Sequence, residues 1–249
     1  MVDQNLVVKN PMHDDIYIVE FPKSGVTWLS HIISNIELQL INRDEIATFY
    51  NIQKYIIDVH QTKEAMINRF LNRTFIKSHS QFNHSYIFVI YLIRHPVDVM
   101  ISYYNMMIHS GYKADFEAFV KDDTYGVVAW KKHINSWMYK RNDAQRIHFL
   151  KYENLVENTV QEIRFLYKNL GVQLSDKVLS KAIRNANLDN MMESEEHYRI
   201  HNKNYTMPFI GKKSKKSKSE LLTDDLEEYI INATKDELQE LYPEGIVNL

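Results

Sequence analysis

Eight consecutive apolar residues, Tyr86–Ile93, run unbroken into Arg94, His95 and Pro96. No other stretch constrains the fold as much. The block is far short of the roughly 20 residues that a membrane span needs. A strand with one wet face would alternate polar and apolar positions, and this one does not. It reads as a strand buried on both faces, as in a parallel sheet covered by helices. Ile16–Phe21 reads as a second, shorter buried strand, broken by Pro22–Val26. Thr27–Leu40 then carries Trp28, Leu29, Ile32, Ile33 and Ile36 at a helical period. Thr74–Lys77 and Ile147–Tyr152 are further strand candidates. Val97–Ile108, Glu117–Val120, Gly126–Lys140, Asn158–Leu170, Ser175–Ala186 and Asp224–Glu240 read as helices, and Gly171 is placed to close the fourth of them. Strands alternating with helices predict an α/β protein with a central parallel sheet flanked by helices on both faces. No repeat or low-complexity linker divides the chain, so residues 1–249 read as one domain.

Composition removes several alternatives. There is no cysteine, which excludes a disulfide scaffold and any zinc site built on thiolates. The formal net charge of −2 gives no global reason to expect nucleic acid as a partner. An apolar share of 45% provides ample material to bury, so wholesale disorder is excluded. Met1–Asn10 has no basic start followed by an apolar block, so no secretory signal is expected. Six glycines and five prolines in 249 residues mean few breakers, and each one present is informative.

Ligands of open α/β sheets bind beyond the carboxyl ends of the strands. Three places qualify. The first is Pro22-Lys23-Ser24-Gly25-Val26-Thr27-Trp28, a turn between a strand and a helix start. Unpaired N–H groups and the helix dipole there favour an anion, Gly25 lets the backbone come close to it, and Lys23 adds a mobile charge. The turn lacks the G-x-x-x-x-G-K-[ST] pattern of a standard P-loop, and a plain strand–turn–helix with a solvated lysine is the competing reading. The second is Arg94 with Asp98 and Ser102. An arginine ending so apolar a strand must reach solvent or a buried anion. Its planar fork suits a phosphate, to which Ser102 can add a hydroxyl, but a pair with Asp98 would serve equally. The third is Lys77-Ser78-His79, where a histidine at a strand end can accept a proton near neutral pH.

Together these stretches resemble the sulfotransferase family, most closely the cytosolic type. DIYIVEFPKSGVTWL at Asp15–Leu29 is similar to the family's 5′-phosphosulfate loop. FIKSH at Phe75–His79 resembles its catalytic K-T-H segment, and YLIRHPVDVMISYY at Tyr91–Tyr104 its 3′-phosphate motif. HINSW at His133–Trp137 and LKYENL at Leu150–Leu155 extend the likeness. The resemblance implies a P-loop-like fold and sulfuryl transfer from 3′-phosphoadenosine 5′-phosphosulfate (PAPS) to a hydroxyl or amine. It implies that Lys23, Ser24, Gly25, Val26 and Thr27 would hold the 5′-phosphosulfate and that Trp28 would stack on the adenine. Arg94 and Ser102 would bind the 3′-phosphate, and Tyr152 would approach the adenine. His79 would be the general base, with Lys77 beside it and Lys23 at the transferring group. No metal is required, because positive side chains and loop donors can serve a loose transition state in its place. A cytoplasmic location is implied as well.

The match weakens toward the C-terminus. The family's arginine-lysine-glycine run is replaced by Gly211-Lys212-Lys213, so Lys212 and Lys213 would supply charge for the 3′-phosphate without a bidentate fork. Ala186-Asn187-Leu188 stands where the family has an aromatic adenine contact, and the family's dimer motif is only partly kept around Ser219–Asp224. The lysines of Gly211–Lys218 read as a solvated run, a donor-binding lid or a grip on an anionic polymer. The last leaves a non-catalytic module binding an anionic partner through Lys212–Lys218 as an alternative. A P-loop kinase is a further one, disfavoured by the missing Walker pattern. His197 and His201 stand four apart but lack an H-E-x-x-H context, so an exposed polar stretch is expected there rather than a metal site. Tyr, Met and Ile in Arg43–Phe70, Ser80–Ser85, Asn105–Lys113 and Leu188–Phe209 point to a small apolar or aromatic acceptor.

Overall fold

The structure, a computed structural model, describes residues 10–60, 69, 71–140, 145–202 and 216–243. Its centre is a sheet of five strands: Ile16–Glu20 (β1), Ile56–Asp58 (β2), Phe75–Ser78 (β3), Phe88–Ile93 (β4) and Arg146–Lys151 (β5). The spatial order is β2-β3-β1-β4-β5, and every neighbouring pair is parallel. β1 therefore lies between β3 and β4, and the chain departs from it to one side before returning on the other. That reversal is the kind of switch point at which open α/β sheets bind ligands.

The helices are Val26–Leu40 (α1), Pro96–His109 (α2), Phe116–Val120 (α3), Val127–Tyr139 (α4), Tyr152–Glu157 (α5), Thr159–Asn169 (α6), Asp176–Asn185 (α7), Leu188–His201 (α8), Lys218–Leu221 (α9), Asp224–Ala233 (α10) and Lys235–Leu241 (α11). Side chains on a strand alternate between faces, and both faces here are buried. Tyr17, Val19, Tyr91 and Ile93 pack with Val97, Trp130, Trp137 and Ile230 on one side. Ile16, Ile18, Ile90 and Leu92 pack with Leu29, Ile33, Leu166 and Leu179 on the other. Each such side chain contributes about 1.5–3 kcal/mol through burial, so the sheet is a rigid platform for its rim. This two-sided burial is what the unbroken run ending at Ile93 requires.

Three features depart from the expected pattern. β2 was not expected, because three residues are too few to display a period. Tyr152–Glu157 and Leu188–His201 are helical although neither shows a clear apolar face; α8 buries only Met191 and Glu195. The single helix expected over Asp224–Glu240 is two helices. Thr234, fully buried at the junction, turns its hydroxyl back to the Ile230 carbonyl at 2.8 Å, and such back-bonding bends helices. Among the described residues no helix is long and apolar enough to cross a membrane. Lys212 and Lys213 lie outside the described residues, as does the rest of 203–215.

Candidate active site

β1 ends in a tight turn. The Ser24 N–H and hydroxyl both donate to the Phe21 carbonyl, at 3.2 and 2.8 Å. Lys23 and Gly25 have positive φ, 77° and 111°, so successive N–H groups swing to one side of the chain. Ser24 thus uses its own donors to close the turn and is buried. The N–H groups of Gly25 and Thr27 have no partner among the described residues, and α1 begins at Val26 without a side-chain cap from its N-cap residue. The bareness of Gly25 is required twice. Its φ is left-handed, and an added Cβ would lie 2.4 Å from the Tyr152 ring.

Tyr152 opens α5 directly after β5 and ties the turn to the next strand end. The Arg94 guanidinium lies over its ring, 4.6 Å from the centroid. Arg94 Nη1 donates to the Lys23 carbonyl at 3.3 Å, while its Nε is buried without a partner. Among the described residues no carboxylate pairs with Arg94, so the expected alternative of an Asp98 pair is not what the fold builds. The turn after Arg94 is fixed by the His95 N–H, which donates to Glu153 at 2.8 Å, and Tyr242 donates to the same carboxylate at 3.0 Å. Ser102 is half-buried in the second turn of α2. Trp28 meets Tyr152 edge to face at 6.2 Å, and its indole N–H donates to the Ala186 carbonyl at 3.0 Å. The segment Ala186-Asn187-Leu188, which departs from the family pattern, therefore anchors Trp28 through its backbone.

On the other side of β1 stands His79. Its Nδ1 contacts the Glu20 carbonyl oxygen at 3.3 Å. A carbonyl can only accept, so the hydrogen is on Nδ1 and the basic lone pair is on Nε2. The His79 N–H donates to His60 Nε2 at 2.7 Å, and the two rings stack at 5.3 Å. Tyr91 donates to His133 Nδ1 at 2.6 Å, and His133 Nε2 donates to the His79 carbonyl at 3.2 Å. This chain pins the backbone of His79 through a histidine that burial holds down to about 4, hence neutral. Burial first, then Lys77 and His60, push His79 well below the ordinary histidine range. It is a neutral imidazole at pH 7, able to accept a proton.

Lys77 does not stand alone beside it: its ammonium is paired with Asp58 at 2.9 Å, across the β2–β3 edge. Glu20, the last residue of β1, is buried beneath the turn and accepts the Val26 N–H at 2.9 Å. Its Oε1 lies 3.8 Å from His79 Nδ1. Burial raises the Glu20 carboxyl to about 7, against the opposing pull of Lys77 and of the Val26 and Lys23 N–H groups. Sequence reasoning missed Glu20, Asp58, His60 and Glu153. The available signal for Glu20 was an acid closing the apolar run IYIV, since a charge there must be met by donors. Asp58 and His60 gave none, because the three-residue β2 and the turn after it have no legible period.

The rim thus joins main-chain donors, an arginine without a countercharge and a neutral imidazole around one strand end. Such a site suits transfer of an anionic group to an acceptor that loses a proton. Comparison with known proteins narrows that class. The sulfotransferase domain model matches residues 13–242, and the chain belongs to that family. It is 31% identical over 198 residues to bovine sulfotransferase 1E1, covering 72% of this chain and 66% of that one. It is 30% identical over 199 residues to mouse sulfotransferase 1 family member D1, covering 73% and 67%. The matched stretch therefore spans about two thirds of the length of those relatives. In fold it is similar to mouse sulfotransferase SULT7A1 complexed with PAP, with a TM-score of 0.64 at 18% identity over 92% of this chain and 85% of that one. It is likewise similar to retinol dehydratase in a complex with retinol and PAP, with a TM-score of 0.69 at 16% identity over 92% and 83%.

Proposed function

We propose that this protein transfers a sulfuryl group from PAPS to a hydroxyl or amine of a small apolar or aromatic acceptor, with His79 as general base, and that it works in the cytoplasm as a single catalytic unit. The observation that carries the reading is the convergence at the end of β1. Arg94 hydrogen-bonds the carbonyl of Lys23 while His79 packs against Glu20, three residues earlier at the end of β1. A nucleotide with phosphate at both ends can be held from two sides there. The free N–H groups of Gly25 and Thr27, with Lys23, face the sulfated end. The unpaired Arg94, with Ser102, takes the 3′-phosphate, and Trp28 and Tyr152 frame the base. Lys212 and Lys213 remain candidates for further contacts with that phosphate. PAP in the retinol dehydratase and mouse sulfotransferase structures supports this choice of donor, and retinol in the former supports an apolar acceptor.

In this reading His79 Nε2 takes the acceptor's proton as the new bond forms, and the Glu20 carbonyl keeps the ring in the tautomer that leaves Nε2 free. Lys23 and Lys77 stabilise charge spread over the peripheral and bridging oxygens, and Asp58 limits where Lys77 can reach.

The test is thermal unfolding with nucleotides. Adenosine 3′,5′-bisphosphate at saturating concentration should raise Tm by about 5–10 °C, and ATP by clearly less. Equal shifts would remove the 3′-phosphate assignment. Transfer of labelled sulfate from PAPS to a panel of phenols, alcohols, amines and glycans then identifies the acceptor class. A glycan as the sole acceptor would overturn the apolar reading.

A further inference from the structure

Glu20 occupies a position that an anion-binding turn should leave to its ligand. Its carboxylate accepts the Val26 N–H, the first N–H of α1, at 2.9 Å, and the Lys23 N–H also bonds to it. It is 2% exposed, and lies at the even strand positions that face α1 rather than solvent. α1 has neither an acid in its first turn nor a side-chain cap from its N-cap residue, so Glu20 is the negative group at that helix start. The groups facing it come from every neighbouring element. Lys23 belongs to its own turn, Lys77 and His79 lie on β3 and just beyond it, and Tyr91 is on β4. Behind them, Asp58 and His60 adjoin Lys77 and His79, and His133 on α4 holds the His79 backbone. Lys77 is already countered by Asp58, and the histidines are neutral.

We propose that Glu20 is the resident anion of the donor site: ionised, it holds the Val26 and Lys23 N–H groups of the empty turn while those of Gly25 and Thr27 stay open, and loading the phosphosulfate end of the donor takes up one proton onto its carboxyl. This deepens the donor assignment above and rests on it. The balance is simple. The carboxylate gains a proton from solvent and becomes a neutral acid, no longer repelling the incoming anion and no longer needing the Val26 and Lys23 N–H groups, which turn to the ligand. The direction follows from a buried carboxyl bonded to the turn's own N–H groups, which burial raises to about 7. An anion placed beside it raises it further, so binding is coupled to proton uptake above about pH 7 and weakens as pH rises.

The alternative is that Glu20 only caps α1. Glu20→Gln separates the two, because the amide oxygen still accepts the Val26 N–H but carries no charge. The probe is adenosine 3′,5′-bisphosphate, titrated calorimetrically at pH 6.5 and 8 in buffers of different ionisation enthalpy. The ligand's own phosphates also titrate near 6, and that contribution is common to both proteins. Between the two pH values, wild type should lose about tenfold more affinity than Glu20→Gln and take up close to one proton more per ligand at pH 8. The variant should bind about tenfold more tightly than wild type at pH 8. Equal pH dependence and equal proton counts in the two proteins would reduce Glu20 to a cap and leave the donor assignment standing. No binding to either protein would overturn the donor assignment, and this inference with it. If Glu20→Gln does not fold, the wild-type protein decides alone: no net proton uptake at pH 8 overturns the proposal.

Discussion

The two sides of β1 are built on different principles. On the β4 side the site is contiguous in sequence: the turn from Pro22 to Trp28 and the strand end at Arg94 each carry their chemistry in one short stretch. Much of that chemistry is backbone, namely N–H groups aimed by the positive φ of Lys23 and Gly25. On the β3 side the site is assembled from side chains of separate elements. Asp58 reaches across the sheet edge to Lys77, His60 holds His79, and Tyr91 acts on His79 only through His133. A contiguous backbone cradle fixes where an anion sits. An assembled cluster sets the protonation state and aim of one imidazole. On the roles proposed above, binding and proton transfer should be separable by mutation.

Three substitutions can break that separation, in descending order of effect. His79→Ala should lower turnover by about 10²–10⁴-fold, the usual scale for losing a general base, while the affinity for adenosine 3′,5′-bisphosphate stays within about threefold of wild type. A large loss of nucleotide affinity would show that the imidazole belongs to the cradle. Lys23→Met should act on both quantities, lowering turnover by about 10²–10³-fold and weakening nucleotide binding as well. Wild-type nucleotide affinity in that variant would sink the role of Lys23 in the cradle. Asp58→Asn should have the smallest effect, a fall of about two- to fivefold in turnover with nucleotide affinity unchanged. A partly exposed ion pair is worth about 1 kcal/mol, and through it Asp58 aims Lys77. A tenfold or larger change in nucleotide affinity would place Lys77 on the donor rather than beside the acceptor.

The same division explains what could be read before the fold was known. The strand ending at Ile93, its parallel setting and the turn after β1 were legible, because each is encoded in an unbroken run of residues whose spacing is itself the signal. The Arg94 environment was legible only by halves. The sequence shows that this arginine must reach solvent or an anion, but not that Asp98 fails to pair with it. Asp58 and His60 were opaque because a three-residue edge strand has no period, and they matter only through long-range pairing. Glu20 was visible as an oddity, an acid at the end of an apolar run, but its meaning depends on the position of the Val26 N–H above it. The break at Thr234 was hidden because no glycine or proline marks it; a threonine hydroxyl bonded to its own helix does the work of a breaker.

The contact between Gly25 and the Tyr152 ring has one more consequence. That ring carries Arg94 on its face and Trp28 at its edge, so the turn after β1 and the arginine after β4 rest on a single aromatic plate rooted at the end of β5. The two grips cannot drift apart independently. On the donor assignment proposed above, the site would grip its nucleotide at a fixed gauge, and one whose charged ends stand at another spacing would bind more weakly.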